Sequence, residues 1–381
     1  MQSFLLQVPQ TVVFGQDVLP QLGPIARRFG NRAMIVSESV LQDGRYVERV
    51  ADILKRAGLE IMVYDELMPS TPTIVIDEIA SLAKASKTQL IIGLGGMRVL
   101  SMARCVAAVA AERMRVWDYM EGAVPSQTLP YIDIPSSYRN HLLMRNEIVL
   151  RDSSDKRARF VPVPPGTVRA AIVDTTLTQT LSSKYAIAAI LDTLLAAIEG
   201  YLSTTGSLYS STLLITAIGE LYKAAITAVK NPQDTRFRSR AAEAGLLAAM
   251  GLSITGQGMG GALSYAINAR FHLPKSWTAV ILLPHVVEIL TTRDVAKMAL
   301  VAGAIGEPVE GIIDAEDAAR ASRGIRRLLG HVDLPVRFRD LDVTLDELSA
   351  AAEEASEFRM NAAVPGGASA GDLQQLIAEA Y

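Results

Sequence analysis

The turn Gly93-Leu94-Gly95-Gly96-Met97-Arg98 is the first place along this chain where residue types and spacing suggest chemistry. Glycines at the end of a strand let the backbone approach a phosphate closely, and the N–H groups of a following helix face the anion. Arg98 adds a side chain able to pair with a phosphate. A turn of this kind also serves folding alone, and the residues leave both uses open. A second stretch, Pro135-Ser136-Ser137-Tyr138-Arg139-Asn140-His141, sets two hydroxyls beside a guanidinium and an imidazole. Converging, these side chains would neutralise and orient an anionic ligand; otherwise they are an ordinary polar surface loop.

The elements that must position these residues fall into two textures. Up to about residue 175, short β-rich runs (33–37, 60–64, 89–93) alternate with amphipathic segments (47–57, 74–85). That alternation predicts a doubly wound parallel sheet, a Rossmann-like α/β domain over 1–175, with ligands at the carboxyl ends of its strands. From about residue 184 the chain turns Ala/Leu-rich with helical spacing. Helices are expected over 185–204, 209–229, 238–267, 315–330, 344–356 and 370–380, giving an all-α domain over 176–381. Breaks come at Asn231-Pro232, Leu273-Pro274 and Val364-Pro365-Gly366-Gly367.

Composition narrows the function classes. With 381 residues, half of them hydrophobic and 20% charged, the chain suits two well-packed domains. A formal net charge of −3 and the lack of any Lys/Arg tract argue against nucleic acid as a partner. No apolar stretch reads as long enough to span a membrane. The N-terminal MQSFLLQVPQ lacks the basic region of a secretion signal. Cys105 is the single cysteine, so an internal disulfide is excluded and a reducing cytoplasm is the expected home.

The segment Gly251–Leu290 resembles the active-site stretch of the iron-containing alcohol dehydrogenase family. It keeps the framework residues Gly256, Gly258, Ala262, Leu263, Pro274, Ala279 and the run Ile281-Leu282-Leu283-Pro284-His285-Val286. Further markers are Phe14-Gly15, Tyr64-Asp65, Asp118-Tyr119, Val173-Asp174 and Asn231-Pro232. The resemblance covers nearly the whole chain and implies the same two-part architecture. It also implies a metal held by one aspartate and three histidines. Asp192 matches the aspartate, while Ala196, Gly261 and Lys275 stand where the histidines belong. A lone carboxylate cannot hold Fe²⁺ or Zn²⁺, which need three or four protein ligands, so no bound iron or zinc is expected.

For the cofactor, the resemblance implies NAD(P) on the turn at Gly95 and Gly96. Met97 replaces a third glycine, Arg98 a serine, and Ser101 and Arg104 the family's aspartate and lysine. Ser136 and Ser137 keep hydroxyls in a loop that contributes nicotinamide and substrate contacts in the family. Glu38 sits near the family's ribose-binding aspartate, where a carboxylate would favour NAD over NADP.

The sharpest expectation concerns Lys275. Its ammonium would take the metal's place, held by Asp192, with Tyr265 donating a proton to a developing alkoxide and Arg139 and His141 completing a cationic pocket. The plainer alternative is that Lys275 only neutralises a buried carboxylate and Tyr265 only fills space. Three functions follow. One is a metal-independent, NAD(P)-linked oxidoreductase of a small oxo or hydroxy compound, anionic if the cations converge. Another is a cofactor-free lyase, isomerase or hydrolase on an anionic substrate. The last is a non-catalytic paralogue. A homo-oligomer, as a dimer, is expected, and the non-catalytic reading would serve a partner or that oligomer.

Overall fold

The computed structural model describes residues 4–112, 114–309 and 314–381. Two compact units emerge, an α/β unit of residues 7–137 and 142–180 and a helical unit. The helical unit holds residues 181–381, the described residues up to Leu6, and the four residues Tyr138–His141. The division thus falls after residue 180, where the sequence suggests 175. Asp174 accounts for the difference, because its Oδ1 accepts from Thr176 N at 3.0 Å and Thr176 Oγ1 at 2.7 Å. That ties the 3-10 turn Thr175–Thr180 to the strand it follows.

In the α/β unit the strands are β1 Thr11–Gly15, β2 Arg32–Glu38, β3 Glu60–Leu67, β4 Leu90–Gly95, β5 Tyr131–Pro135, β6 Glu147–Arg151, β7 Ala158–Pro162 and β8 Val168–Asp174. Its helices are α1 Leu22–Ala26, α2 Tyr46–Arg56, α3 Val75–Ala85, α4 Met97–Val109 and α5 Val116–Met120. Six strands form one sheet in the order β1-β8-β5-β4-β2-β3, and every pairing is parallel. Successive side chains on a strand point to opposite faces. Met34 and Val36 of β2 accordingly enter one core with Ile91 and Val106, while Ala33 and Ile35 enter the other with Leu90 and Ile92. With both faces covered, β4 and β5 are buried from end to end. The antiparallel pair β6–β7 lies outside this sheet and is not among the strands the sequence predicts.

The helical unit contains α6 Ser183–Leu202, α7 Leu208–Lys230, α8 Arg236–Thr255, α9 Met259–Phe271, α10 Lys275–Arg293, α11 Val295–Ala304, α12 Ala315–Leu329, α13 Leu345–Ser356 and α14 Ala370–Ala380. Two sequence expectations are corrected. The segment 238–267 is two helices, because the chain turns by 101° through Gly256-Gln257-Gly258. Gly256 has φ +69, a left-handed conformation that glycine adopts without strain. By length and composition, α6 and α7 are also apolar enough to cross a membrane. In α6 that apolarity is used inside the fold, where 89% of the apolar window is buried and the helix packs on α7, α8, α9 and α10.

Candidate functional site

Helix α6 presents Asp192, Ala196 and Glu199 on one face, since residues four and seven apart lie one above another. Pro274 precedes α10 and makes Lys275 its first residue. Lys275 Nζ donates to Asp192 Oδ1 at 2.6 Å. Asp192 is 0% exposed and Lys275 3%, so this is an ion pair of the interior. Arg139 Nη1 approaches the other carboxylate oxygen at 3.5 Å. Tyr265, from α9, turns the face of its ring to the ammonium, with Nζ 4.7 Å from the ring centroid. The expected proton donor therefore meets Lys275 through its π face, a cation–π contact that holds the ammonium in place.

Electrostatics within this group are strongly shaped by burial. Burial alone would raise the Asp192 pKa, but Lys275, His141 and Arg139 outweigh it and the carboxyl sits below its ordinary range. For Lys275 the balance runs the other way. Burial lowers its pKa and Asp192 opposes without cancelling. His141 is 1% exposed, and burial pushes it down to about 3, helped by Lys275 and Arg139 and opposed by Asp192. Its imidazole is neutral at ordinary pH. Neither ring nitrogen has a hydrogen-bond partner among the described residues. The Gln257 carboxamide lies beside the ring without completing a bond to it, and Gln257 Nε2 is unpartnered too.

Gln257 and Glu199 escape the sequence reading. Gln257 fills the corner between α8 and α9. A Cβ at Gly261 would stand 2.7 Å from Gln257 Cβ and 2.9 Å from its Nε2, so the carboxamide occupies the space a side chain there would need. The one signal for it is a polar residue clasped between two glycines. Glu199 caps α9, accepting from Gly258 N at 3.1 Å, Gly260 N at 2.6 Å and Gly261 N at 3.1 Å. Burial raises its pKa to about 7 against the pull of those three N–H groups and of Lys275.

The residues expected to hold a cofactor lie in the α/β unit. Gly95 ends β4 with φ +154, and Gly96 is the N-cap of α4. Gly96 N donates to Glu38 Oε1 at 3.0 Å, and a Cβ at Gly95 would stand 2.9 Å from that same oxygen. Glu38 therefore points at the turn itself, where the sequence suggests a ribose. Arg98 donates to the carbonyl oxygens of Met68, at 2.6 Å, and Thr71, so its guanidinium is turned toward its own backbone. Ser136 is buried, and its N–H donates to Gly95 O at 3.0 Å, setting it and Ser137 next to the turn. The same backbone bond continues the parallel pairing of β4 with β5 by one residue. Arg104 is fully engaged. It pairs with Asp133, with Nη2 to Oδ2 at 2.5 Å, and donates to the carbonyl oxygens of Leu142, Leu143 and Arg145. It is a structural pin for the chain just beyond His141.

Five expected site residues thus come together in the helical unit: Lys275, Asp192, Arg139, His141 and Tyr265. Six others, Glu38, Gly95, Gly96, Arg98, Ser136 and Ser137, lie in the α/β unit. The donor set around Asp192 does not fit a transition-metal ion. Lys275 is bonded to the one carboxylate, Ala196 and Gly261 offer no donor atom, and Gln257 fills the space beside Gly261. Among the described residues, no three His, Cys, Asp or Glu side chains converge. The glycine turn does fit a dinucleotide in its backbone, though Glu38 holds one of the N–H groups a phosphate would use.

Residues 9–175 match the family description "Iron-containing alcohol dehydrogenase", and residues 186–381 match "Fe-containing alcohol dehydrogenase family, C-terminal". The chain belongs to the iron-containing alcohol dehydrogenase family. Among its relatives in that family is the long-chain-alcohol dehydrogenase 1 of Geobacillus thermodenitrificans, 27% identical over 328 residues, spanning 84% of this chain and 82% of the relative. The NAD-dependent methanol dehydrogenase of Bacillus methanolicus is 24% identical, covering 98% of both chains. In three dimensions the chain is similar to a crystal structure of 1,3-propanediol oxidoreductase, with a TM-score of 0.92, 20% identity and full coverage of both chains.

Proposed function

We propose that this protein is an NAD(P)-linked oxidoreductase of a small oxo or hydroxy compound, working without a metal ion. The observation that carries the reading is the buried Lys275–Asp192 pair, 2.6 Å apart, at positions where the resemblance to the family implies metal ligands. Membership of the family and the full-length likeness to an NAD-dependent relative support the oxidoreductase part. NAD(P), when bound, supplies or accepts the hydride. Gly95, Gly96 and the first turn of α4 would hold its phosphates, with Ser136 and Ser137 alongside.

The chain's own residues then have defined tasks. Negative charge that develops on a carbonyl oxygen needs a preorganised positive partner in a site of low dielectric. The Lys275 ammonium fills that role and can donate a proton to the oxygen. Asp192 keeps it charged and fixes its position, and the Tyr265 ring closes one side. His141 stays neutral and adds no competing charge.

A double substitution tests this reading. Removing Lys275 alone strands a buried carboxylate, at a cost of about 3–5 kcal/mol, whereas replacing both partners of a buried pair is often neutral. The variant Lys275→Met/Asp192→Asn should therefore fold with near-native melting behaviour. Its NAD(P)H-dependent reduction of small carbonyl compounds should fall by about 100-fold or more. A folded double variant with undiminished turnover would sink the assignment.

A further inference from the structure

We propose that the cluster around Lys275 is the seat of a small hydroxy or oxo acid, whose carboxylate is read by Arg139, Gln257 and His141. This rests on the oxidoreductase reading and adds the substrate class. The first ground is the charge facing the cluster. Two cations, Lys275 and Arg139, are directed at one carboxylate, Asp192. Glu199, the other nearby acid, has its oxygens engaged by three N–H groups of α9. Apart from Glu199, which also acts on Lys275, the cluster carries one positive charge in excess, and that favours an anion.

The second ground is independent of charge. His141 and Gln257 are 1% and 6% exposed, yet both imidazole nitrogens and Gln257 Nε2 lack a hydrogen-bond partner among the described residues. Buried polar groups left unpaired are costly, so a cluster of them marks a place where a polar ligand completes the bonding. The carboxamide N–H₂ and the imidazole N–H both seek acceptors, and a carboxylate is acceptor-only. Asp192 Oδ2, also short of a hydrogen bond, and the second imidazole nitrogen suit the hydroxyl of a hydroxy acid.

Orientation follows from exposure. The Arg139 side chain is 20% exposed and that of Lys275 only 2%, so the outer end of the cluster is the Arg139 end. The acid group lies toward Arg139, and the oxygen that changes oxidation state lies toward Lys275. A neutral diol of the same size offers one hydroxyl oxygen, itself also a donor, where the carboxylate offers two acceptor oxygens and a charge.

Binding without cofactor or turnover tests this. Lactate and propane-1,2-diol share a carbon skeleton and differ in carboxylate against hydroxymethyl. Calorimetric titration of the full chain should show lactate binding about 10- to 100-fold more tightly than the diol, as a charge-assisted hydrogen bond implies. Arg139→Gln should bring lactate down to the level of the diol, and Gln257→Ala should weaken lactate more than the diol. Equal affinity for the two probes would overturn the proposal, as would a lactate preference that survives both substitutions. Because neither outcome involves hydride transfer, failure here leaves the oxidoreductase reading to its own test.

Discussion

His141 shows how a single residue carries the character of the site into a measurable property. An imidazole near 6.5 in the unfolded chain and about 3 in the fold takes up its proton only on unfolding anywhere between those values. Its contribution to stability is therefore complete above pH 6.5 and is lost as pH falls through the window from 6.5 to 3. Glu199 has the opposite sign. Raised from 4.5 to about 7, it contributes most below pH 4.5, and that contribution fades as pH rises through 7. Where the windows overlap, the two slopes oppose each other. Comparing His141→Gln with the parent protein removes the shared Glu199 slope. The melting temperature of the variant relative to the parent should rise as pH falls from 6.5 to 3, and parallel pH profiles for the two proteins would show that His141 is not held neutral.

At the scale of elements, the β4–α4 turn makes the clearest prediction. Glu38, at the end of β2, lends its carboxylate to Gly96 N–H and so sits as an internal anion at the helix N-terminus, where anions are favoured. Glu38→Gln should tighten NADH binding several-fold, because a neutral carboxamide competes less well with phosphate. A carboxylate whose task is to hold the ribose would give the reverse, and fluorescence titration with NADH separates the two. Strands β2, β3 and β4 are legible in the sequence, since a buried parallel sheet writes its strands as short apolar runs, whereas β1, β5 and β8 are not among the runs it singles out. Less legible is the corner between α8 and α9. The Ala/Leu-rich texture continues across it, and a glycine inside a helical pattern is commonly tolerated, so 238–267 reads as one helix. That smoothing hides Gln257. The convergence of Arg139 and His141 with Lys275 stays conditional in the sequence, because residues 138–141 pack with a unit whose main body begins only at Leu181.

For the molecule as a whole, a protein that does not depend on a metal should be indifferent to it. A ligand that binds the folded state raises the melting temperature, with a stabilisation that grows as the logarithm of its concentration over its dissociation constant. Iron or zinc salts should leave the melting temperature unchanged, and a chelator should remove neither stability nor turnover. Stoichiometric iron in the purified protein, lost together with activity on chelation, would contradict the proposed function. The family resemblance spans nearly the whole chain, whereas the chemistry around Asp192 depends on which side chains meet there, and that appears only in the packing. The crowding of Gly261 by Gln257 bears on what it would take to build a metal centre around Asp192. A histidine at 261 would collide with the carboxamide, one at 275 would deprive Asp192 of its nearest cation, and one at 196 alone would bring the ligand set only to two. A metal centre of three or more ligands on Asp192 would therefore take several substitutions together, with Gln257 moved aside.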